Sequence, residues 1–468
     1  MRYISTRGEA PSVSFTDALM IGLAPDGGLY VPDAWPTLSR ETIAAFAGKP
    51  YADVAREVIR PFVDGMIADA DLGAMIREAY ATFDDPSVAP LKEIAPNQWV
   101  LELFHGPTLA FKDVAMQLVA RLMDHVLAAR NERATIIAAT SGDTGGAAVE
   151  AFRGRRRTDL VVLFPLGRVS EVQRRMMTTA PEPNVHAIAI EGTFDDCQAI
   201  VKALFNDRAL RERVKLSGVN SINFARIVAQ MVYYFTAAAA LGVKRSSTFV
   251  VPTGNFGDIF AGYAAKRAGL PIARLVIATN VNDILVRTLS TGRYEPRAVA
   301  ATSSPAMDIQ VSSNFERLLF EAYGREPAPV RALMQSLAEG QGFTIGVDAL
   351  ARIRADFDAD RADEDDVQAA IREVYRSNGY LLDPHSAVGV AVARKHRYKG
   401  PVVILGTAHP AKFPEAVEAA TGFRPQLPAR LSELHAQPER VSVLPADKER
   451  VAGFIAEVSR AVTVGARA

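Results

Sequence analysis

Residues 134–165 read ATIIAATSGDTGGAAVEAFRGRRRTDLVVLFP, and this stretch decides the fold class. Residues 134–139 and 160–165 are short runs that are almost wholly apolar, and residues 144–152 between them have helical spacing. A strand without a polar face is one covered on both faces, as in a parallel sheet. Two such strands joined through a helix form a βαβ unit, whose crossover is right-handed.

The same texture extends outward in both directions. Residues 100–104 (VLELF), 185–191, 248–251, 275–279 and 402–405 are further short apolar runs. Between them, residues 112–130 repeat Val114, Leu118, Leu122 and Val126 at helical spacing, and residues 194–206 and 224–241 also read as helices. The pattern predicts an α/β protein with two blocks of parallel sheet flanked by helices, one before and one after about residue 245, with a cleft between them. The expected division is a mostly helical extension over residues 1–95, a large α/β domain from 96–111 and 245–468, and a small α/β domain over 112–244. The acidic stretch 351–376 fits no calcium loop and reads as a solvated helical face and loop. Arg153, Arg155, Arg156 and Arg157 follow a helix, where positive charge is favoured.

Composition narrows the function. The chain has 468 residues with 53 Lys and Arg against 53 Asp and Glu, so it lacks the basic excess of a dedicated nucleic-acid or anionic-membrane binder. A 49% hydrophobic content supports a large core and argues against disorder. Cys197 is the single cysteine, which excludes multi-cysteine metal sites and suits a reducing compartment. The start has no signal-peptide core, and the most apolar window, residues 233–243, falls short of the roughly 20 residues a membrane span needs. The expected location is the cytoplasm. No zinc-hydrolase histidine pair, G-x-S-x-G elbow, Walker A sequence or dinucleotide G-x-G-x-x-G occurs.

Three loops at strand ends suit an anionic ligand. Thr140-Ser-Gly-Asp-Thr-Gly-Gly146 joins a strand to a helix, with glycines that allow close approach and hydroxyls on Ser141 and Thr144. Thr253-Gly-Asn-Phe-Gly-Asp258 repeats the arrangement, with amides around Gly254 to Gly257 available to a phosphate and Asp258 as a possible helix cap. Leu405-Gly-Thr-Ala-His409 places the Thr407 hydroxyl where a strand opens. Open α/β sheets bind ligands at such carboxyl ends. Lys112, in GPTLAFKDVA, stands at the first turn of a helix among Leu109, Ala110 and Phe111. A helix N-terminus and apolar neighbours both lower a lysine pKa, favouring the neutral amine that adds to carbonyls. The alternative is an exposed lysine paired with Asp113.

These segments carry a resemblance. GPTLAFKDVA, together with GLAPDGGLYVP (22–32), TSGDTGGAA (140–148), NSINFARIVAQMVYYF (220–235), VPTGNFGDI (251–259), MDIQVSSNFERLLF (307–320) and ILGTAHPAKF (404–413), resembles the threonine synthase family, in its longer bacterial and fungal type. The segments run in family order over nearly the whole chain, and only the tail after Gly422 is left unplaced. The resemblance implies the fold-type II architecture of pyridoxal-phosphate (PLP) enzymes, similar to the tryptophan synthase β subunit. It implies that Lys112 holds pyridoxal 5′-phosphate and acts as the moving base. Gly254, Asn255, Phe256, Gly257 and Asp258 would hold the cofactor phosphate, and Thr407 would meet the ring nitrogen. Ser141, Gly142, Asp143 and Thr144 would grip the substrate carboxylate. Asp143 is expected to face away, because a carboxylate aimed at the substrate would repel it.

The implied reaction converts O-phospho-L-homoserine and water to L-threonine and phosphate. Candidates for the substrate phosphate are Arg226, Ser312, Ser313, Arg317 and Lys412. The implied partner is that small molecule alone, with no metal, nucleic acid or membrane, in a monomer or homodimer. A threonine or serine dehydratase, a silent PLP-binding relative and a pure interaction protein are the alternatives.

Overall fold

The computed structural model describes residues 1–462, so the last six residues of the expected large domain, 463–468, lie outside the described residues. Two sheets organise the chain. The larger has six strands in the order Phe357–Arg361, Ile272–Thr279, Ser247–Pro252, Val402–Gly406, Gln98–Glu102 and Leu91–Ala95. All its pairings are parallel except the last, where Leu91–Ala95 runs antiparallel to Gln98–Glu102. The smaller sheet is wholly parallel, in the order Ser442–Pro445, Val185–Glu191, Thr158–Pro165, Ala134–Ala139 and Leu216–Gly218. The central strands Ala134–Ala139 and Thr158–Pro165 are buried at every residue. That is why their sequence shows no alternation.

Among the strands that escaped the sequence reading, three have a clear physical reason. Phe357–Arg361 (FDADR) lies inside the acidic stretch and is an edge strand, so its charged side chains reach solvent. Leu91–Ala95, within the expected extension, forms the opposite edge of the same sheet. Ser442–Pro445 corrects the expected domain division. It pairs with Val185–Glu191 in the smaller sheet, and the following helix Lys448–Val458 buries Val451 and Ile455 in that sheet's core. The tail therefore leaves the larger block and returns to the smaller one.

The helix Phe224–Leu241 is long and apolar enough to cross a membrane by length and composition, more so than the window chosen from sequence, but 83% of it is buried inside the protein. It is a core helix. Helices Tyr51–Val63 and Asp69–Tyr80 of the N-terminal segment share its hydrophobic cluster, with Phe46 set edge-on against Phe235. Full burial of one such large side chain stabilises by about 1.5–3 kcal/mol, so the segment is welded to both blocks and is no loose extension.

Parallel strands put their carboxyl ends on one side. Ser247–Pro252, Val402–Gly406 and Gln98–Glu102 are neighbours. The loops that follow them, 253–256, 407–409 and 103–111, therefore open side by side.

Candidate active site

Lys112 is the first residue of the helix Lys112–Ala129, which begins without a side-chain cap. The loop before it is clamped to the 407–409 loop. The Phe111 amide donates to the Thr407 carbonyl at 2.9 Å, the His409 amide donates to the Leu109 carbonyl at 3.0 Å, and Ala110 bridges Ala408. Leu109 is 1% exposed and sits in the left-handed region at φ 61°. A non-glycine residue persists there only when its surroundings over-determine it, at a cost of roughly 1–3 kcal/mol. The backbone bonds to residues 407–409 hold this conformation in place and so fix where the helix starts.

The Lys112 side chain is 12% exposed, and its Nζ stands 3.4 Å from Asp143 Oδ2. Burial pushes the ammonium pKa down, Lys412 and Arg226 push it the same way, and Asp143 opposes them. Asp113 takes no part. It accepts from the Thr108 amide and hydroxyl, each at 2.7 Å, which removes the bland sequence alternative of a Lys112–Asp113 pair.

Asp143 overturns an expectation. It was expected to face away from the site, yet its carboxylate lies between two lysines. Oδ1 is 2.7 Å from Lys412 Nζ and accepts from Gln173 Nε2 at 3.0 Å. Burial alone would raise this carboxyl, but Lys412 and Lys112 hold it well below the usual carboxylate range. The repulsion argument considered only the substrate's charge, whereas two buried ammonium groups decide the outcome. Lys412 is 1% exposed and also donates to the Thr108 carbonyl at 2.8 Å. Around Asp143, the Thr140 hydroxyl accepts from the Gly142 and Gly145 amides, shaping the turn at the start of helix Asp143–Phe152. Gly142 has φ 135°, and a Cβ there would run into the Gln173 side chain. Ser141 and Thr144 are partly exposed on the same loop.

The Gly254–Gly257 turn leads into helix Gly257–Arg267, which has no side-chain cap. Its first amides are the donors that an anion takes up at a helix start. Phe256 is left-handed at φ 64°, and a Cβ on Gly254 would lie 2.8 Å from the Ala306 carbonyl. Ser312 Oγ donates to the Gly254 carbonyl at 2.6 Å, and Asn314 Nδ2 donates to the Asn255 carbonyl at 2.9 Å. Ser313 Oγ reaches Asn255 Oδ1 at 3.5 Å. The serines therefore brace this turn.

Arg317 is corrected as a phosphate candidate. It is fully buried, with Nε donating to the Tyr30 carbonyl at 3.0 Å and its other nitrogens to Asn314 and the Ile222 carbonyl. It staples three segments together behind the site. Arg226 is different. It is 3% exposed, one nitrogen donates to the Val219 carbonyl at 3.2 Å, and its Nε is buried without a partner among the described residues. Burial lowers it to about 10.

Asp258 turns toward the core. Tyr233 and Tyr234 donate to its Oδ1. Burial pushes its carboxyl up to about 7, with the tyrosine hydrogen bonds and Arg226 pulling back. A folded value above the unfolded one means the folded chain keeps a proton that the unfolded chain gives up, so this group's contribution to stability falls between roughly pH 4 and pH 7. Asp258→Asn keeps an acceptor for the tyrosines and removes the titration. The apoprotein variant should melt with wild type at about pH 5 and above it at about pH 8. Equal differences at both values would contradict the assignment.

Thr407 Oγ1 is buried and has no hydrogen-bond partner among the described residues. An orphaned buried hydroxyl costs about 1–3 kcal/mol, which a ring nitrogen acceptor would relieve. A lysine amine, an orphan hydroxyl and an uncapped helix start on neighbouring strand ends fit pyridoxal phosphate. Sequence reading missed Thr140, Gln173, Asp383, His385 and Ser386. Asp-Pro at 383–384 is readable as a helix cap, but nothing in the sequence ties it to Thr407. Among the described residues, no group of three or more His, Cys, Asp or Glu is arranged for a metal ion.

The chain is similar to known proteins over nearly its whole length. Residues 2–80 match the family described as threonine synthase N terminus, residues 88–407 match pyridoxal-phosphate dependent enzyme, and residues 386–455 match threonine synthase, C-terminal. The chain is 52% identical to threonine synthase of Pseudomonas aeruginosa, covering 98% of each. Its structure is similar to that of PLP-bound threonine synthase from Brucella melitensis, with a TM-score of 0.96 and 59% identity over 98% of this chain and 100% of that one. It is also similar to threonine synthase from yeast, with a TM-score of 0.91 and 39% identity over 98% of each.

Proposed function

The chain belongs to the threonine synthase family, and from that membership we propose that it converts O-phospho-L-homoserine and water to L-threonine and phosphate, with pyridoxal 5′-phosphate as cofactor. One arrangement carries the reading: the Lys112 amine, the orphan Thr407 hydroxyl and the uncapped start of helix Gly257–Arg267 open from three neighbouring parallel strands. When bound, pyridoxal phosphate supplies an electron-withdrawing ring that stabilises charge developing beside the amino-acid α-carbon.

The chain's own residues do the rest. Lys112 holds the cofactor through its amine and, once released, carries protons at the substrate's α- and β-carbons. Burial lowers its pKa, which favours the neutral amine over the ammonium. The amides of Gly254 to Gly257 take the cofactor phosphate, and the neutral form of Asp258 avoids repelling it. Ser141, Gly142 and Thr144 receive the substrate carboxylate at the start of helix Asp143–Phe152. Lys412 receives the substrate phosphate, with Asp143 as its resting counter-ion, and Arg226 adds a second buried positive charge. The Ser141–Thr144 loop belongs to the smaller block and Lys412 to the larger, so substrate held by both bridges the blocks and excludes bulk water.

The test is a steady-state assay of the PLP-loaded protein. O-phospho-L-homoserine should yield threonine and phosphate in equal amounts, and threonine or serine should yield no significant keto acid. Keto acid from either amino acid at a comparable rate would replace this reading with a dehydratase.

Thr407→Ala should lower kcat by about tenfold, with melting temperature little changed, because the lost hydroxyl has no partner among the described residues. Full activity would reduce Thr407 to a turn residue.

A further inference from the structure

The Thr407 loop and the Gly254 turn share a support that neither loop contains. Asp383 caps helix Pro384–Lys395 and is 1% exposed. Its two carboxylate oxygens serve different arms. Oδ1 accepts from the Ser386 amide at 3.1 Å and from the Ser386 hydroxyl. Ser386 Oγ in turn accepts from the Thr407 amide at 3.0 Å. Oδ2 accepts from the His385 amide at 2.9 Å and pairs with His385 Nδ1 at 2.8 Å. The opposite ring nitrogen, Nε2, accepts from the Ala306 amide at 3.3 Å, so the ring hydrogen sits on Nδ1 and is donated to Asp383. Ala306 is the residue whose carbonyl lies against Gly254. The Phe413 ring, 4.8 Å from His385, closes the side of this arm.

We infer that Asp383 is a positioning residue that sets both ends of the cofactor cradle, aiming the Thr407 hydroxyl through Ser386 and fixing the Gly254 turn through His385 and Ala306. The inference rests on the cofactor reading above and extends it to the residues that brace the two loops from behind. The chemistry requires a carboxylate. All four groups facing Asp383 are donors, and an amide offers them only one acceptor oxygen. An amide NH2 turned toward His385 would force the ring hydrogen onto Nε2, where it meets the Ala306 amide head-on.

Three variants separate the arms. Asp383→Asn disturbs both, Ser386→Ala removes the Thr407 arm, and His385→Phe keeps the ring volume while removing the Ala306 arm. Each apoprotein is titrated with pyridoxal phosphate by fluorescence, and each loaded protein is read by its visible absorption band and kinetics. Ser386→Ala should shift the band and lower kcat about tenfold, with cofactor affinity within about twofold of wild type. His385→Phe should weaken cofactor affinity about tenfold, with the band unmoved. Asp383→Asn should do both, and a fourth variant, Ser386→Thr, which keeps the hydroxyl that Ser386→Ala removes, should show the wild-type band. The inference is overturned if Asp383→Asn keeps wild-type affinity and band. It is equally overturned if all three variants lose only thermal stability. Should Asp383→Asn fail to fold, the contrast between the two single-arm variants decides alone. Failure of the wild-type apoprotein to bind pyridoxal phosphate would instead sink the cofactor reading.

Discussion

Replacing Lys112 with Ala should lower kcat by about 10⁴-fold or more, because one side chain both holds the cofactor and moves the protons. The fold should survive. Lys112 is at the first position of its helix, where alanine is tolerated, and the loop before it is fixed by backbone bonds between residues 109–111 and 407–409. The variant should also lose the visible band of the covalently held cofactor on dialysis, whereas wild type keeps it. Lys112→Arg is the sharper control. It keeps the charge beside Asp143 but cannot add to the cofactor's carbonyl, so its activity should be equally low. Activity within tenfold of wild type in either variant would remove Lys112 from the chemistry.

The second large effect belongs to the Asp143–Lys412 pair. Lys412→Met leaves the Asp143 carboxylate buried with only the more distant Lys112, at 3.4 Å instead of 2.7 Å. Breaking a buried pair from one side costs about 3–5 kcal/mol, so the variant should melt well below wild type. It also removes the proposed partner of the substrate phosphate, and kcat/KM for O-phospho-L-homoserine should fall about 10³-fold. Changing both partners separates the two roles. Lys412→Met with Asp143→Asn removes both members of the closer pair and leaves only Lys112, whose ammonium burial already disfavours, so it should regain most of the stability but none of the activity. Recovery of activity would show that Lys412 exists only to neutralise Asp143. The pH dependence carries a matching sign. The Asp143 value is lowered in the fold, so its contribution is present above the ordinary carboxylate range and is lost as pH falls through and below it. Wild type should therefore lose stability toward acid, and the double variant should lose less.

Much of the fold is legible in the sequence because buried parallel strands leave an unbroken apolar signature, as in residues 134–139 and 160–165. Phe357–Arg361 and Ser442–Pro445 are hidden because edge strands keep polar or exposed side chains. Leu91–Ala95 is hidden by position, since the helices before it suggest a segment apart. The candidate loops are legible because glycine, hydroxyl and strand-end position are local features. The directions of side chains are not. Arg317 and Arg226 are both buried arginines in family-like segments, yet one is held by carbonyls of distant residues and the other keeps a free nitrogen. Asp143 turns inward because Lys412, far along the chain, arrives beside it. Such choices are made by tertiary contacts, which no local pattern records.

The most direct measurement is borohydride reduction of the PLP-loaded protein followed by peptide mapping. The account expects the cofactor to be fixed on the peptide that contains Lys112 and on no other. Attachment at Lys412 or any other lysine, or none at all, would contradict the site and the reaction built on it.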